Sequence, residues 1–305
     1  MPRGAWTGNP QGGVKTPDAL ILPAPATRFA RTAARLEVLA SGHPLEDWLH
    51  FMAQISLAQH GAATILSPMA GPDPIAVEQA VAARMPPLAA DGHRRHPGWR
   101  DGLALLLDDF SAKTLPAPAR AAVASLRARK PEALEALADA FLHGTLDSAE
   151  VGAALYVAAA LQVYFTRVAA DLPLASLRLL VQRGLCPCCG STPVAGVITG
   201  AGATPGTRYL YCSLCGTAWN HVRAICITCG DTRLLGLEGI EGDSGALKAE
   251  TCGACHTYAK MLYQARDMQA DPFADDLATL GLDLMVSVIG FVRHAPNALL
   301  LIGSG

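Results

Sequence analysis

The chain has 305 residues, 51% of them apolar, and a net charge of −2. That length suits two domains with a sizeable core, and the near-neutral balance gives no general attraction for nucleic acid or an anionic membrane surface. Aromatic residues are few (6%), and the alanine-rich remainder favours packed helices over an all-β fold.

Residues 1–27 are rich in Gly, Pro and Thr and read as an irregular arm. The apolar stretch Ala19–Leu22 is too short for the core of a signal peptide, so the chain is expected to act in the cytoplasm. From 28 to 183 the pattern is helical, with no β alternation. The expected helices are Phe29–Ala40, His43–Leu66, Pro74–Met85, Gly98–Phe110, Pro118–Arg129 and Pro131–Leu142, followed by one capped by Asp147 or Ser148 and running through Arg167. The apolar run Val151–Phe165 is shorter than the roughly 20 residues that cross a bilayer and reads as a buried core helix, without membrane insertion. A last short helix is expected over Leu172–Gln182, ended by Gly184.

After Gly184 the pattern changes. Short β-rich segments lie at Thr192–Thr199, Thr207–Cys212, Arg233–Ile240 and Ala246–Thr251, and Tyr258–Asp267 suits either a strand or a short helix. Pro272–Arg293 reads as one helix with an apolar face through Leu277, Leu280, Leu284, Val288 and Phe291. The apolar tail Asn297–Ile302 must be buried or covered.

All nine cysteines lie between 186 and 255, eight of them in four Cys-x-x-Cys pairs: Cys186/Cys189, Cys212/Cys215, Cys226/Cys229 and Cys252/Cys255. The whole unit repeats with a period of 40. Gly190 matches Gly230, Thr192 matches Thr232, Gly196 matches Gly236, Gly202 matches Gly242, Thr217 matches Thr257, and Arg208 matches Lys248. Such a repeat reads as a duplication in which each copy builds one site. Two cysteines three apart in a tight turn aim both sulfurs at one point, and a following glycine, as at Gly190, Gly216 and Gly230, permits the positive φ that turns backbone amides toward the thiolates. The fourth pair departs, with Gly253 inside it and His256 after it.

Two pairs joined by a hairpin supply four thiolates in tetrahedral array, which suits zinc or rubredoxin-type iron. The fold class expected is therefore α+β: a helical domain at 28–183, tandem rubredoxin-like (zinc-ribbon-like) units at 184–224 and 225–268 related by a pseudo-two-fold, and a C-terminal helix and tail at 269–305. Cys188 reads as a small apolar residue, and alkylation of metal-loaded protein is expected to reach Cys188 at most. His221 and His256 are expected beside the closed sites, not in them. Trp219 and Arg223, between the sites, are candidate partner-binding residues, with packing of Trp219 between the metal units as the alternative. No phosphate loop, nucleophile elbow or open metal position is recognisable, so no catalytic residue is assigned.

The segments CPCCGSTPVAGVI, RYLYCSLCGTAWNHVRAICITCGDT, KAETCGACHTYAKMLYQ and DDLATLGLDL, with the closing PNALLL, resemble the formate dehydrogenase accessory protein family, FdhE. The likeness runs from Gly184 to the C-terminus and, more weakly, into the helices; Cys188 departs from the expected pattern. The resemblance implies a cytoplasmic, non-enzymatic maturation factor needed for activity of respiratory formate dehydrogenase. It also implies binding of that enzyme's catalytic subunit, and iron on the eight paired cysteines. Two other functions suit the residues alone. A zinc-ribbon nucleic-acid binder would need a basic stripe, whereas 184–260 holds five Lys/Arg against five Asp/Glu. A rubredoxin-like electron carrier is compatible with the cysteine spacing.

Overall fold

The computed structural model describes residues 16–300. Seven helices occupy the first part: α1 Arg28–Ala40, α2 Glu46–Ile65, α3 Pro74–Ala82, α4 Trp99–Ser111, α5 Ala117–Ala128, α6 Pro131–His143 and α7 Val151–Ala170. Their inward faces follow helical spacing, as with Phe29, Ala33, Leu36 and Ala40 of α1 or Leu103, Leu106, Leu107 and Phe110 of α4. Asp73 caps α3 by accepting from the Ile75 amide, and Gly144 ends α6 in the left-handed conformation. α7 is apolar around its circumference because helices α2, α4, α5 and α6 all pack on it. Among the described residues it is also the one helix long and apolar enough to cross a membrane by length and composition, and most of it is core.

The second part is one mixed sheet. Its strands are β1 Leu20–Ile21, β2 Pro193–Ile198, β3 Arg208–Cys212, β4 Ala218–Asn220, β5 Leu235–Glu238, β6 Leu247–Cys252, β7 Thr257–Tyr263 and β8 Val292–Arg293. The order is β1-β4-β3-β2-β7-β6-β5, with β8 also on β7. β2–β4 form the first copy of the repeat and β5–β7 the second. A two-fold would pair like edges of the copies. Instead the first strand of one copy, β2, runs parallel to the third strand of the other, β7 (Gly196↔Met261, Ile198↔Tyr263). The pseudo-two-fold is thus corrected: the copies are related by a step along a continuous sheet. Gly196 permits this junction, because a Cβ there would meet the Met261 sulfur at 2.4 Å.

Three further expectations change. The arm is not wholly irregular, since β1 pairs with the edge strand β4 (Leu20↔Trp219), and the Asn220 amide donates to Ala19 O; residues 1–15 of the arm lie outside the described residues. Residues 172–182 are not helical. After one turn at 173–177 the chain extends to reach the first cysteine pair, and Gly184 packs so close to the Ile227 carbonyl that a Cβ would sit 2.2 Å from it.

The helix expected over Pro272–Arg293 breaks into α8 Ala274–Ala278 and α9 Leu280–Val288, followed by β8. The break falls at Thr279, where the buried Lys260 ammonium takes the Asp276 and Thr279 carbonyls and also pairs with Asp283 (2.6 Å) and Asp276 (3.3 Å). Arg293 joins the same carboxylates. The buried face of this region is Leu277, Leu282 and Val286, while Leu284 and Val288 face outward. In the tail, Asn297 and Leu299 are buried as expected. The rest of its apolar stretch, Leu301 and Ile302, lies outside the described residues.

Candidate metal centres

Cys186, Cys189, Cys212 and Cys215 form one group, and Cys226, Cys229, Cys252 and Cys255 another, with the sulfurs of each group all within 4.8 Å of one another. First pairs with second and third with fourth, as the repeat predicts. The closest sulfurs across the pairs are 3.4 and 3.5 Å apart in the first group and 3.7 Å in the second. These separations are too long for disulfides, whose bond is about 2.05 Å. They match the edge of a tetrahedron with metal–sulfur bonds of about 2.3 Å, which is roughly 3.8 Å. The donor set therefore fits a metal ion in each group, and four sulfurs leave no open position.

The local build is the same at all four pairs. The residue after the second cysteine (Gly190, Gly216, Gly230, His256) has φ of 76°, 76°, 79° and 54°, and its amide donates to the carbonyl of the first cysteine. His256, the departure in sequence, adopts the conformation that glycine holds in the other three. Thr217 and Thr257, also matched by the repeat, place a hydroxyl 3.1 Å from Cys215 Sγ and Cys255 Sγ, where it can donate to a thiolate.

The two groups differ in surroundings. All four sulfur-bearing residues of the first are fully buried, and its loops are held by the helical part. Leu88 and Ala90 amides donate to the Cys188 and Cys189 carbonyls. Gln162 of α7, oriented by Gln59, donates to Ser213 O (2.8 Å), and Arg28 of α1 donates to Leu214 O (3.0 Å). Burial pushes the thiols of Cys186 and Cys212 well up, while at Cys215 burial is outweighed by hydrogen bonds from the neighbouring thiols and Thr217, which hold its thiol well below the ordinary value. In the second group Cys229 is exposed and Cys255 half-buried.

Cys188 is fully buried, as the small apolar reading expected. Trp219 is corrected as an exposed anchor. It is 1% exposed, covered by the arm strand β1, and its Nε1–H donates to Arg183 O (2.9 Å). Arg223 is exposed on the link between the copies. His221 and His256 stay outside the sulfur groups, as expected. Burial, with the Arg208 guanidinium beside it, lowers His221 to about 4, so it is neutral and accepts from Arg208. The sequence reading missed Arg208 itself. It is buried, pairs with Glu250 (2.6 Å), and gathers the Val222 and Ile225 carbonyls, tying the link to both copies. Its only signal was its match to Lys248 in the repeat.

Comparison with known proteins covers nearly the whole length. Family models described as FdhE, N-terminal, FdhE, central domain and FdhE, C-terminal domain match residues 17–181, 185–223 and 224–300. A protein FdhE homolog of Edwardsiella ictaluri is 38% identical over 93% of this chain and 92% of its own. One of Stutzerimonas stutzeri is 38% identical over 92% and 91%. The crystal structure of the FdhE protein from Pseudomonas aeruginosa superposes with a TM-score of 0.85 at 34% identity, covering 94% of this chain and all of that one. With helices, sheet and both cysteine groups inside the matched range, this chain belongs to the FdhE family.

Proposed function

We propose that this protein is a cytoplasmic accessory factor needed for activity of respiratory formate dehydrogenase. It binds the catalytic subunit of that enzyme and holds iron in both cysteine groups. The observation that carries the reading is family membership along the chain together with two complete four-sulfur groups. The second group supports a partner-facing role. Cys229 is open to solvent; exposed Val222 lines the same cleft as Cys226 and Cys229, exposed Leu234 accepts from the Gly253 amide inside the fourth pair, and the amide of exposed Val292 donates to the His256 carbonyl after it. Exposed apolar side chains grouped at one place mark contact surfaces. Arg223, next to Val222, belongs to this surface; the buried Trp219 does not.

The same exposure favours a second reading, in which iron at this group passes electrons as in rubredoxin. Complementation tests the first. In a bacterium lacking its own accessory factor, the wild-type chain restores formate oxidation and captures the catalytic subunit. The variants C186S and C226S do neither, while their helices persist by circular dichroism. Capture of ribosomal RNA with no recovery of formate oxidation overturns the reading.

A further inference from the structure

Arg28 opens α1, directly after the arm, and its guanidinium lies on the second cysteine pair. A Cβ added to Gly216 would sit 2.8 Å from Arg28 Cζ. Nη1 donates to Leu214 O, between Cys212 and Cys215, and to the Thr166 hydroxyl on α7. The Phe29 and Phe273 rings close over the guanidinium, with centroids 4.8 and 4.4 Å from Cζ. Among the described residues Arg28 forms no ion pair. Asp271, the one carboxylate acting on it, is engaged by the Thr32 hydroxyl and the Phe273 and Ala274 amides.

This half-buried cation has no carboxylate in ion-pair range, so negative charge on the adjoining sulfur group would interact with it strongly. Four thiolates around a divalent ion carry a net charge of −2, and the first group is fully buried. The repeat does not carry this arrangement over: position 256 holds an imidazole where 216 holds glycine, and among the described residues nothing lies within 4 Å of a Cβ added at Gly230.

We propose that Arg28 is the fixed counter-charge of the first metal–thiolate centre, retaining the metal there and biasing that centre toward its more negative charge state. This rests on the reading that the cysteines hold metal. Arg28 touches no substrate; it is a positioning residue for the centre. Because ferric and ferrous tetrathiolates carry −1 and −2, losing the cation favours the ferric form.

The test uses the full-length chain with C226S and C229S, so that only the first centre is read. Cobalt(II) uptake is followed by its tetrahedral thiolate absorption, then release to excess chelator. R28Q, which keeps a donor near Leu214 O and drops the charge, releases cobalt at least tenfold faster than its parent, and R28K restores the rate to within about threefold. Loaded with iron, R28Q has the lower reduction potential, by about 59 mV for each tenfold change in the redox equilibrium. Should R28Q fail to fold, R28M is read in the same way. Release and potential equal to the parent's overturn the proposal, as does an R28K variant no better than R28Q. A parent that takes up no cobalt overturns the metal reading along with it.

Discussion

The four cysteine turns share one backbone geometry but have different space above them, and this separates strain from packing. Gly230 and Gly216 both have φ near 78°, at 79° and 76°. Nothing lies within 4 Å of a Cβ added at Gly230, whereas one at Gly216 collides with the Arg28 guanidinium. The left-handed region costs an alanine about 1–2 kcal/mol, offset by about 0.4–1 kcal/mol from a stiffer unfolded chain. G230A should therefore cost about 1 kcal/mol. G216A adds displacement of Arg28 and loss of its bond to Leu214 O, about 1–3 kcal/mol more for an unsatisfied partly buried donor and acceptor.

H256G runs the other way. It relieves the strain at φ 54°, loses the ring contact with Phe291 (6.0 Å), and should gain up to about 1 kcal/mol. Urea unfolding of zinc-loaded protein at fixed free zinc measures all three. Equal losses for G216A and G230A, within about 0.5 kcal/mol, would show that the packing of Arg28 on the second turn contributes nothing. A destabilised H256G would refute the strain argument.

In native metal-loaded protein Cys188 should resist iodoacetamide, being fully buried. On chelation Cys229, the exposed ligand, should be labelled first by mass spectrometry; early labelling of Cys188 contradicts the packing. His221 is held neutral in the fold with its pKa lowered from 6.5 to about 4 by burial and Arg208. Its contribution is complete above pH about 6.5 and is lost as pH falls through about 4. H221N, which keeps an acceptor for Arg208, should unfold with a shallower pH dependence across that window than wild type. K260M leaves Asp276 and Asp283 without the buried ammonium between them and should cost about 3–5 kcal/mol in urea unfolding; a loss below about 1 kcal/mol would show the network to be dispensable.

The sulfur groups were legible in the chain because a metal imposes its geometry on sequence. Two thiolates three apart, a left-handed residue after them, and a fixed hairpin between pairs leave a regular spacing. The helices were legible from apolar periodicity, which acts within one element. What escaped depends on partners distant in sequence. Arg28 reaches a carbonyl 186 positions away. Trp219 is buried by an arm strand some 200 residues before it, and the step between copies is decided by which strand edge meets which.

The leucines at 174, 177 and 180 keep helical spacing, but the chain must extend there to reach the first cysteine pair, and burial selects Leu177 and Leu180 alone. Similarly, the period of 272–293 suggested one helix, and the competition of Lys260 for its carbonyls broke it. His256 shows the limit of residue type as a guide, since the turn imposes a glycine-like conformation whatever the side chain.

The central claim is two independent four-sulfur centres, and metal content with sulfur-edge geometry on anaerobically purified protein tests it most directly. Wild type should hold two metal ions per chain, each with four sulfurs at about 2.3 Å. C186S should retain one ion on Cys226, Cys229, Cys252 and Cys255, and C226S one ion on Cys186, Cys189, Cys212 and Cys215. A single ion in wild type, or loss of both ions from either variant, would contradict it.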